Sequence, residues 1–259
     1  MRQWTVLFKK EWVEMIRNFK IMWIPIVFIL LGIMQPITSY YLPEIIKAAG
    51  ELPEGAVFDI PVPTPQEVIV QTLGQYSQIG ILILVLAFMG IVAAEKNSGV
   101  SDIILVKPVS FANYITAKWV SIAIMTLGSF FLGILASWYY TGILIGEIEF
   151  GELMKGSLVY GTWLLFLVTV TLLLSSLFKS NLLVALMSLL LAIGLSASTS
   201  LLSKWMMWSP ARLSTHASSL LLTGSPDKQF TLSISVTILL ILLLITSSIF
   251  LFAKKERVA

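Results

Sequence analysis

Six apolar segments, each close to the length of a helix that crosses a bilayer, constrain this chain more than any other feature. They cover approximately residues 21–41, 70–94, 115–140, 157–178, 182–202 and 232–253. A hydrocarbon core of about 30 Å requires about 20 apolar residues in a helix, and a helix satisfies its own backbone hydrogen bonds there. The sequence therefore predicts an all-α polytopic membrane protein whose six transmembrane helices form a single domain over residues 1–259.

The composition excludes a soluble domain. Hydrophobic residues make up 57% of the chain and charged residues 12%, whereas soluble domains average roughly 25% charged residues. The chain has no cysteine, which excludes disulfide bonds, thiolate metal sites and thiol catalysis. Lipid is therefore the expected surrounding of most of the chain.

The distribution of lysine and arginine predicts the orientation. If both termini lie inside the cell, as an even number of spans requires, twelve of the 17 lysine and arginine residues fall on the cytoplasmic side. Such an excess is typical of cytoplasmic loops. Because these residues form no basic patch on a folded soluble domain, nucleic acid is not an expected partner. We therefore expect a multi-pass protein with both termini in the cytoplasm.

Residues 1–20 have the pattern of an amphipathic helix ahead of the first span. Bulky apolar side chains recur there at spacings of three and four, namely at Trp4, Phe8, Trp12, Met15 and Phe19. Basic residues lie off this stripe, which is typical of a helix on the inner membrane surface. The alternative is a cytoplasmic extension of the first span.

Three glutamines form a polar face on the outer part of the second span. The apolar run there covers only residues 79–94, so the helix is expected to begin earlier, and it then carries Gln71, Gln75 and Gln78 on one side. This face is a candidate for a dimer interface or a transport pathway. The alternative is a water-exposed extension of the helix.

Catalytic and ion-coupling chemistry is missing from the sequence. The interiors of the six predicted spans contain no charged residue and no histidine, whereas such residues usually mark ion and proton pathways. The phosphate-binding pattern GxxxxGK[ST] is absent, so any ATP that drives this protein binds to another polypeptide. His216, the single histidine, lacks neighbouring ligands. We expect no enzyme activity, catalytic residue, metal site or cofactor in this chain.

The polar segment 95–114 separates the second and third spans. Asn97-Ser98-Gly99 has the composition of a turn, in which glycine tolerates a positive φ. The apolar run Ile103–Val106 is too short to cross a bilayer, and Pro108 ends it. Ser110 is a candidate N-cap for the third span, and Lys118 is expected to extend its amine to the membrane surface. The segment is predicted to be a short surface helix between two turns; a plain amphipathic connector is the alternative.

This segment resembles the loop between spans two and three of ABC-2-type permeases, the membrane subunits of bacterial ATP-binding-cassette exporters. In that family a Glu-Lys/Arg-x-x-Gly stretch precedes an apolar run, Pro-Val-Ser-Arg, and a lysine ten positions after the proline. The matching residues here are Glu95, Lys96, Gly99, Pro108, Val109, Ser110 and Lys118. Phe111 stands where arginine is usual, and Tyr114 where an aliphatic residue is usual. The overall layout, with an amphipathic leading helix and six spans, is also similar.

The resemblance implies a mechanism and a set of partners. Two permease copies, or this chain and a related permease, would sit on two ATPase subunits, which bind ATP and Mg, in the plasma membrane of a bacterium. The helix around residues 100–106 would fit a groove in the ATPase, and Glu95 would help to transmit its motion to the spans. The ATPase-coupling residues implied are Glu95, Lys96, Gly99, Val100, Asp102, Ile103, Val106 and Pro108. The function expected is that of an ABC exporter permease; a non-transporting membrane assembly or regulatory protein is the alternative.

Overall fold

The computed structural model describes residues 2–48, 63–101 and 109–256, and all regular secondary structure in these ranges is helical. Helix accounts for 84% of the structure, and six helices are long and apolar enough to cross a membrane. The prediction of an all-α polytopic membrane protein with six spans is confirmed. Four residues of the predicted coupling segment lie outside the described residues, namely Asp102, Ile103, Val106 and Pro108.

Ten α-helices and one π-helical turn lie wholly within the described residues. They are α1 (Arg2–Arg17), α2 (Lys20–Ala48), α3 (Pro65–Gln75), a π-helical turn (Tyr76–Gly80), α4 (Ile81–Phe88), α5 (Ala93–Asn97), α6 (Phe111–Leu144), α7 (Phe150–Leu177), α8 (Asn181–Leu201), α9 (Arg212–Thr223) and α10 (Phe230–Glu256). The first span is α2, and the second runs from α3 through α5. The third to sixth spans are α6, α7, α8 and α10.

The second span begins at Pro65, earlier than its apolar run indicates. Thr64 and Glu67 form a capping box, in which the Thr64 hydroxyl accepts from the Glu67 amide and the Glu67 carboxylate accepts from the Thr64 amide at 2.7 Å. This arrangement satisfies backbone donors that the first helical turn leaves free. The helix therefore starts before the apolar stretch in the chain and carries the three glutamines, as the length of the apolar run predicts.

The first and third spans pack most extensively, and two glycines bring their backbones together. A Cβ atom on Gly133 would lie 2.5 Å from the carbonyl oxygen of Phe28, and one on Gly32 would lie 2.2 Å from the carbonyl oxygen of Gly133. Helices approach this closely in membranes only where small residues remove the side-chain barrier. Tyr76 of the second span closes the junction, because its hydroxyl donates to the Phe28 carbonyl at 2.9 Å.

Helix α1 packs along the third span through its aromatic stripe. The indole of Trp4 donates to the Thr116 hydroxyl at 3.2 Å and stacks on Phe8, and Met15 is buried. The stripe therefore serves contacts inside the protein, although Phe19 at its end stays exposed. Phe19 has a φ of +54°, and this left-handed residue turns the chain sharply from α1 into the first span.

The opposite end of the bundle is closed by α9, which lies between the fifth and sixth spans in the chain. A Cβ atom on Gly156 of the fourth span would lie 2.7 Å from Leu221 and 3.2 Å from the Ala217 carbonyl oxygen. This close contact holds α9 on the fourth span. His216, on the buried face of α9, lies near the hydroxyl of Ser233 in the sixth span.

Candidate functional site

A buried ionic cluster lies at the end of the bundle where both termini meet. It joins three elements that are distant in the chain: α1, the end of the second span and the beginning of the third span. Its members are Lys10, Glu11, Glu14, Glu95, Tyr114 and Lys118. We call this set the ionic cluster.

Glu95 is the centre of the ionic cluster. One carboxylate oxygen accepts hydrogen bonds from Lys118, at 2.7 Å, and from Lys10. The other carboxylate oxygen accepts a hydrogen bond from the hydroxyl of Tyr114. Only 5% of the Glu95 surface is exposed, so its charge is stabilised by these partners and not by water. A single side chain thus links the second span to α1 and to the third span.

Lys118 is fully enclosed, with 1% of its surface exposed. Its ammonium group lies 2.9 Å from a Glu11 carboxylate oxygen and 2.7 Å from a Glu95 carboxylate oxygen. The expectation that Lys118 extends its amine to the membrane surface is therefore wrong. Two acidic side chains come to the ammonium group inside the protein, because α1 folds back along the third span and carries Glu11 with it.

Lys10 closes the cluster on its more exposed side. Its ammonium group contacts Glu11 at 3.0 Å and Glu14 at 2.9 Å, in addition to Glu95. Burial lowers the pKa of Lys10, but the carboxylates of Glu11 and Glu95 outweigh this effect, and the resulting pKa lies above the usual range. Lys10 therefore stays charged at every physiological pH.

The three carboxylates of the cluster lie close enough together to suggest a cation site. Oxygen atoms of Glu11, Glu14 and Glu95 lie within 4.8 Å of one another. However, the ammonium groups of Lys10 and Lys118 contact these oxygens directly and supply the positive charge that a metal would bring. We therefore assign the cluster as a network of ion pairs. Removing one partner from such a buried network leaves an uncompensated charge, at a cost of about 3–5 kcal/mol.

Lys96 and Asn97 point away from the ionic cluster, towards the end of the fourth span. The ammonium group of Lys96 donates to the Ser176 carbonyl at 2.5 Å and lies 4.7 Å above the ring of Phe252 in the sixth span. The Asn97 amide donates to the Lys179 carbonyl at 2.6 Å. The last carbonyls of a helix have no partners within that helix; α5 supplies a donor to one of them, Ser176, and to the carbonyl of Lys179 just beyond the helix. Glu95 thus connects α5 to α1 and the third span, and Lys96 connects it to the fourth and sixth spans.

The turn after α5 has the predicted chemistry. Gly99 has a φ of +71°, which glycine adopts without strain. Val100, the next residue, begins a new helical turn and is exposed. At the far end of the segment, Ser110 occupies the N-cap position of the third span, but its side chain makes no capping hydrogen bond. Among the implied coupling residues, the described ones therefore divide into the anchored pair Glu95–Lys96 and the exposed turn at 99–100.

The three glutamines of the second span have different surroundings. Gln71 accepts hydrogen bonds from the amide of Gln35, at 2.7 Å, and from the hydroxyl of Ser39, at 3.3 Å, both in the first span. Gln75 contacts the sulfur of Met34. Gln78 is exposed and lines a groove of about 590 Å³ between the second and fifth spans. Gln71 and Gln75 therefore contact the first span, whereas Gln78 faces the groove beside the fifth span.

Sequence reasoning missed four members of the ionic cluster: Lys10, Glu11, Glu14 and Tyr114. Glu11 was detectable in principle, because it is a lone carboxylate on the face of α1 that carries Trp4, Phe8 and Met15. A charge on an apolar face indicates a buried partner. Tyr114 stands out only as a departure from the aliphatic residue that is usual at its position. The sequence contains no indication that both residues meet Glu95.

Comparison with known proteins places the chain in a family. The family model of DUF2705, described as a protein of unknown function, matches residues 56–257. The chain is also 34% identical, over 256 residues, to the uncharacterized transmembrane protein YxlG of Bacillus subtilis (strain 168), and the alignment covers 99% of each chain. The description of this relative as a transmembrane protein agrees with the six spans described above. The chain is a membrane protein and belongs to the DUF2705 family.

Proposed function

We propose that this chain is the permease subunit of an ATP-driven exporter in a bacterial plasma membrane. Two copies, or this chain and a related permease, would work with two separate ATPase subunits that bind ATP and Mg. The observation that carries the proposal is the position of Glu95. It lies in the last helix of the second span, α5, is the first residue of segment 95–114, and is ion-paired to α1 and to the third span. Motion of that segment therefore reaches several spans at once.

The positions of the lysines and arginines support a cytoplasmic location for this segment. With both termini in the cytoplasm, twelve of the 17 basic residues lie on the inner side. The ionic cluster then lies at the inner membrane surface, where a soluble ATPase can reach the residues beyond Val100. In the opposite orientation the segment would face the exterior, where ATP is absent.

The contacts of α5 define what moves together in this proposal. Glu95 binds α1 and the third span, whereas Lys96 and Asn97 bind the end of the fourth span and the connection that follows it. A force applied at residues 99–100 would therefore displace the inner ends of the second, third and fourth spans as a unit. Such displacement of a packed layer by a short terminal element is a common type of conformational switch.

The exposed polar side chains of the second span support the proposal that a second permease copy or a transport pathway lies beside it. Gln78 and Ser196 line the groove between the second and fifth spans, together with apolar residues, whereas Ser77 in the same lining is already bonded to the Leu73 carbonyl and the Tyr160 hydroxyl. Polar side chains facing hydrocarbon without partners are unfavourable. A second permease or a transported molecule would cover them, and an amphiphilic substrate suits a groove with this mixed lining.

The primary test is purification of the full chain from its native membrane, with identification of any P-loop ATPase that purifies with it. We expect a stable complex whose ATPase activity the permease stimulates. The substitution Glu95→Gln should remove most of that stimulation while leaving the complex intact, because glutamine keeps the size of the side chain and loses its charge. Glu147→Gln, at an exposed position on the opposite end of the bundle, is the matched control and should behave like the parent protein.

Two outcomes would contradict the proposal. Normal stimulation in the Glu95→Gln complex would exclude Glu95 from coupling. Failure to form any complex with an ATPase would favour a non-transporting assembly or regulatory role. Contact between two copies is tested separately by cross-linking. Because the chain has no cysteine, Gln75→Cys and Gln78→Cys should yield dimers, whereas Leu239→Cys on the exposed face of the sixth span should not.

A further inference from the structure

The second span is interrupted close to its inner end. Helix α4 ends at Phe88 and α5 begins at Ala93, so four residues, 89–92, form a turn between them. The amide of Ile91 binds the Phe88 carbonyl at 3.0 Å, one residue closer than in an α-helix. The interrupted segment contains no proline. Helix breaks without proline arise at glycine or serine pairs, at π-bulges, or where a side chain enters the helical hydrogen-bond ladder; here Gly90 leaves room and a side chain enters.

Ser175 of the fourth span is that side chain. Its hydroxyl accepts hydrogen bonds from the amides of Val92 and Ala93, both at 3.0 Å, and donates to the Met89 carbonyl at 2.8 Å. Ser175 is completely buried. One hydroxyl therefore binds the backbone on both sides of the break, and it replaces bonds that an uninterrupted helix would make for itself.

Lys20 satisfies the remaining carbonyl on the outer side of the break. In a continuous helix the Ala87 carbonyl would accept from the Ile91 amide, but that amide binds Phe88 instead. The ammonium group of Lys20, the first residue of α2, donates to the Ala87 carbonyl at 2.6 Å. An unpaired carbonyl in an apolar environment is costly, so Lys20 stabilises the broken form of the helix.

The two sides of the break belong to different packing units. On one side, α5 is bound to the ionic cluster through Glu95 and to the end of the fourth span through Lys96. On the other side, α4 and the π-helical turn pack in the interior of the bundle, where Tyr76 and Phe88 are completely buried. The break therefore lies at the boundary between an inner layer and the body of the bundle.

We propose that the turn at residues 89–92 is the hinge of the second span, and that Ser175 and Lys20 are positioning residues that set its angle. The proposal rests on the proposed function, in which the inner layer receives motion from an ATPase. The hinge allows α5 to tilt while α4 keeps its packing. Ser175 contacts both sides of the turn and therefore determines the resting angle between them.

The test measures the angle directly, without ATP. Spin labels are attached to cysteines introduced at Gly74 and Ala94, both exposed, and the distance between the labels is measured by pulsed electron paramagnetic resonance in lipid nanodiscs. About 20 residues of helix place the two positions roughly 30 Å apart. Ser175→Ala is expected to broaden the distance distribution and shift its mean, because three hydrogen bonds across the break are lost.

The neighbouring serine provides the matched control. Ser176 is equally buried, but its hydroxyl binds only the Leu173 carbonyl of its own helix, so Ser176→Ala should leave the distribution unchanged. Ser175→Thr retains a hydroxyl and should give a distance distribution close to that of the parent. Lys20→Met removes the donor to the Ala87 carbonyl, on the other side of the break, and should broaden the distribution. Identical distributions for the parent, Ser175→Ala and Lys20→Met would overturn the proposal.

A second measurement separates this proposal from the proposed function. A Cβ atom on Gly90 would lie 3.3 Å from the Asn181 side-chain amide nitrogen, so cysteines at these two positions can form a disulfide that fixes the turn to the first residue of the fifth span. In the ATPase complex, this disulfide should abolish the ATP-dependent change in the label distance, and reduction should restore it. If Ser175→Ala broadens the distribution but no ATPase binds, the hinge stands and the proposed function fails.

Discussion

Replacement of Lys118 by methionine should be strongly destabilising, although the two side chains have similar volumes. Lys118 is 1% exposed and holds Glu11 at 2.9 Å and Glu95 at 2.7 Å. After Lys118→Met, Lys10 is, among the described residues, the single positively charged partner left to these two buried carboxylates. Breaking a buried ion pair on one side costs about 3–5 kcal/mol, and methionine fills the space, so a cavity adds little. We expect a loss of this size in the free energy of unfolding.

A double-mutant cycle isolates the electrostatic part of that loss. Adding Glu95→Gln removes one of the two carboxylates left uncompensated, while the glutamine oxygen can still accept from Tyr114. The double variant should therefore be more stable than the sum of the two single losses predicts, by about 1–3 kcal/mol, the range found for contacting residues. Unfolding in mixed micelles of increasing sodium dodecyl sulfate, followed by circular dichroism, measures each variant.

An exposed lysine serves as the control for this prediction. Lys155 is exposed at the other end of the fourth span, and Lys155→Met should change the free energy of unfolding by less than about 0.5 kcal/mol. If Lys118→Met were equally mild, or if the two losses in the cycle simply added, the ionic cluster would not be a coupled unit and our argument for Glu95 would fail with it.

Three further predictions concern packing, hydrogen bonding and pH. Gly133→Ala should destabilise the protein by about 1–3 kcal/mol or more through overpacking against the Phe28 carbonyl, whereas Gly128→Ala on the same helix, where a Cβ atom meets nothing within 4 Å, should be neutral or slightly stabilising in the same unfolding assay. Tyr76→Phe removes the donor to that carbonyl and should cost about 1–3 kcal/mol. Burial lowers the pKa of His216 from its ordinary value of 6.5, against the raising effect of Asp227. The unfolded chain therefore binds more protons than the folded protein, and stability should fall as the pH drops below about 6.5, by up to about 1.4 kcal/mol per pH unit. His216→Asn should abolish this slope in thermal unfolding measured between pH 7.5 and 5.

The second span illustrates how far local sequence patterns reach. Its length and its early start follow from the apolar run and from Thr64 and Glu67, which are neighbours in sequence. The break at residues 89–92 does not follow from any local pattern, because the residue that stabilises it, Ser175, lies more than 80 positions away. Serines are frequent in membrane helices, and the local sequence around such a serine does not identify its hydrogen-bond partners.

The same division holds for the candidate site. The sequence by itself determined that the chain lies in a membrane, how many times it crosses, and where the polar segment between the second and third spans is, because hydrophobic burial depends on composition along a continuous stretch. Only the tertiary structure decided that Glu11, Glu95 and Lys118 meet in one buried cluster, and that Lys118 turns inward. The sign and strength of an ionic interaction depend on distances of a few ångströms between residues far apart in the chain, and those distances are set by helix packing.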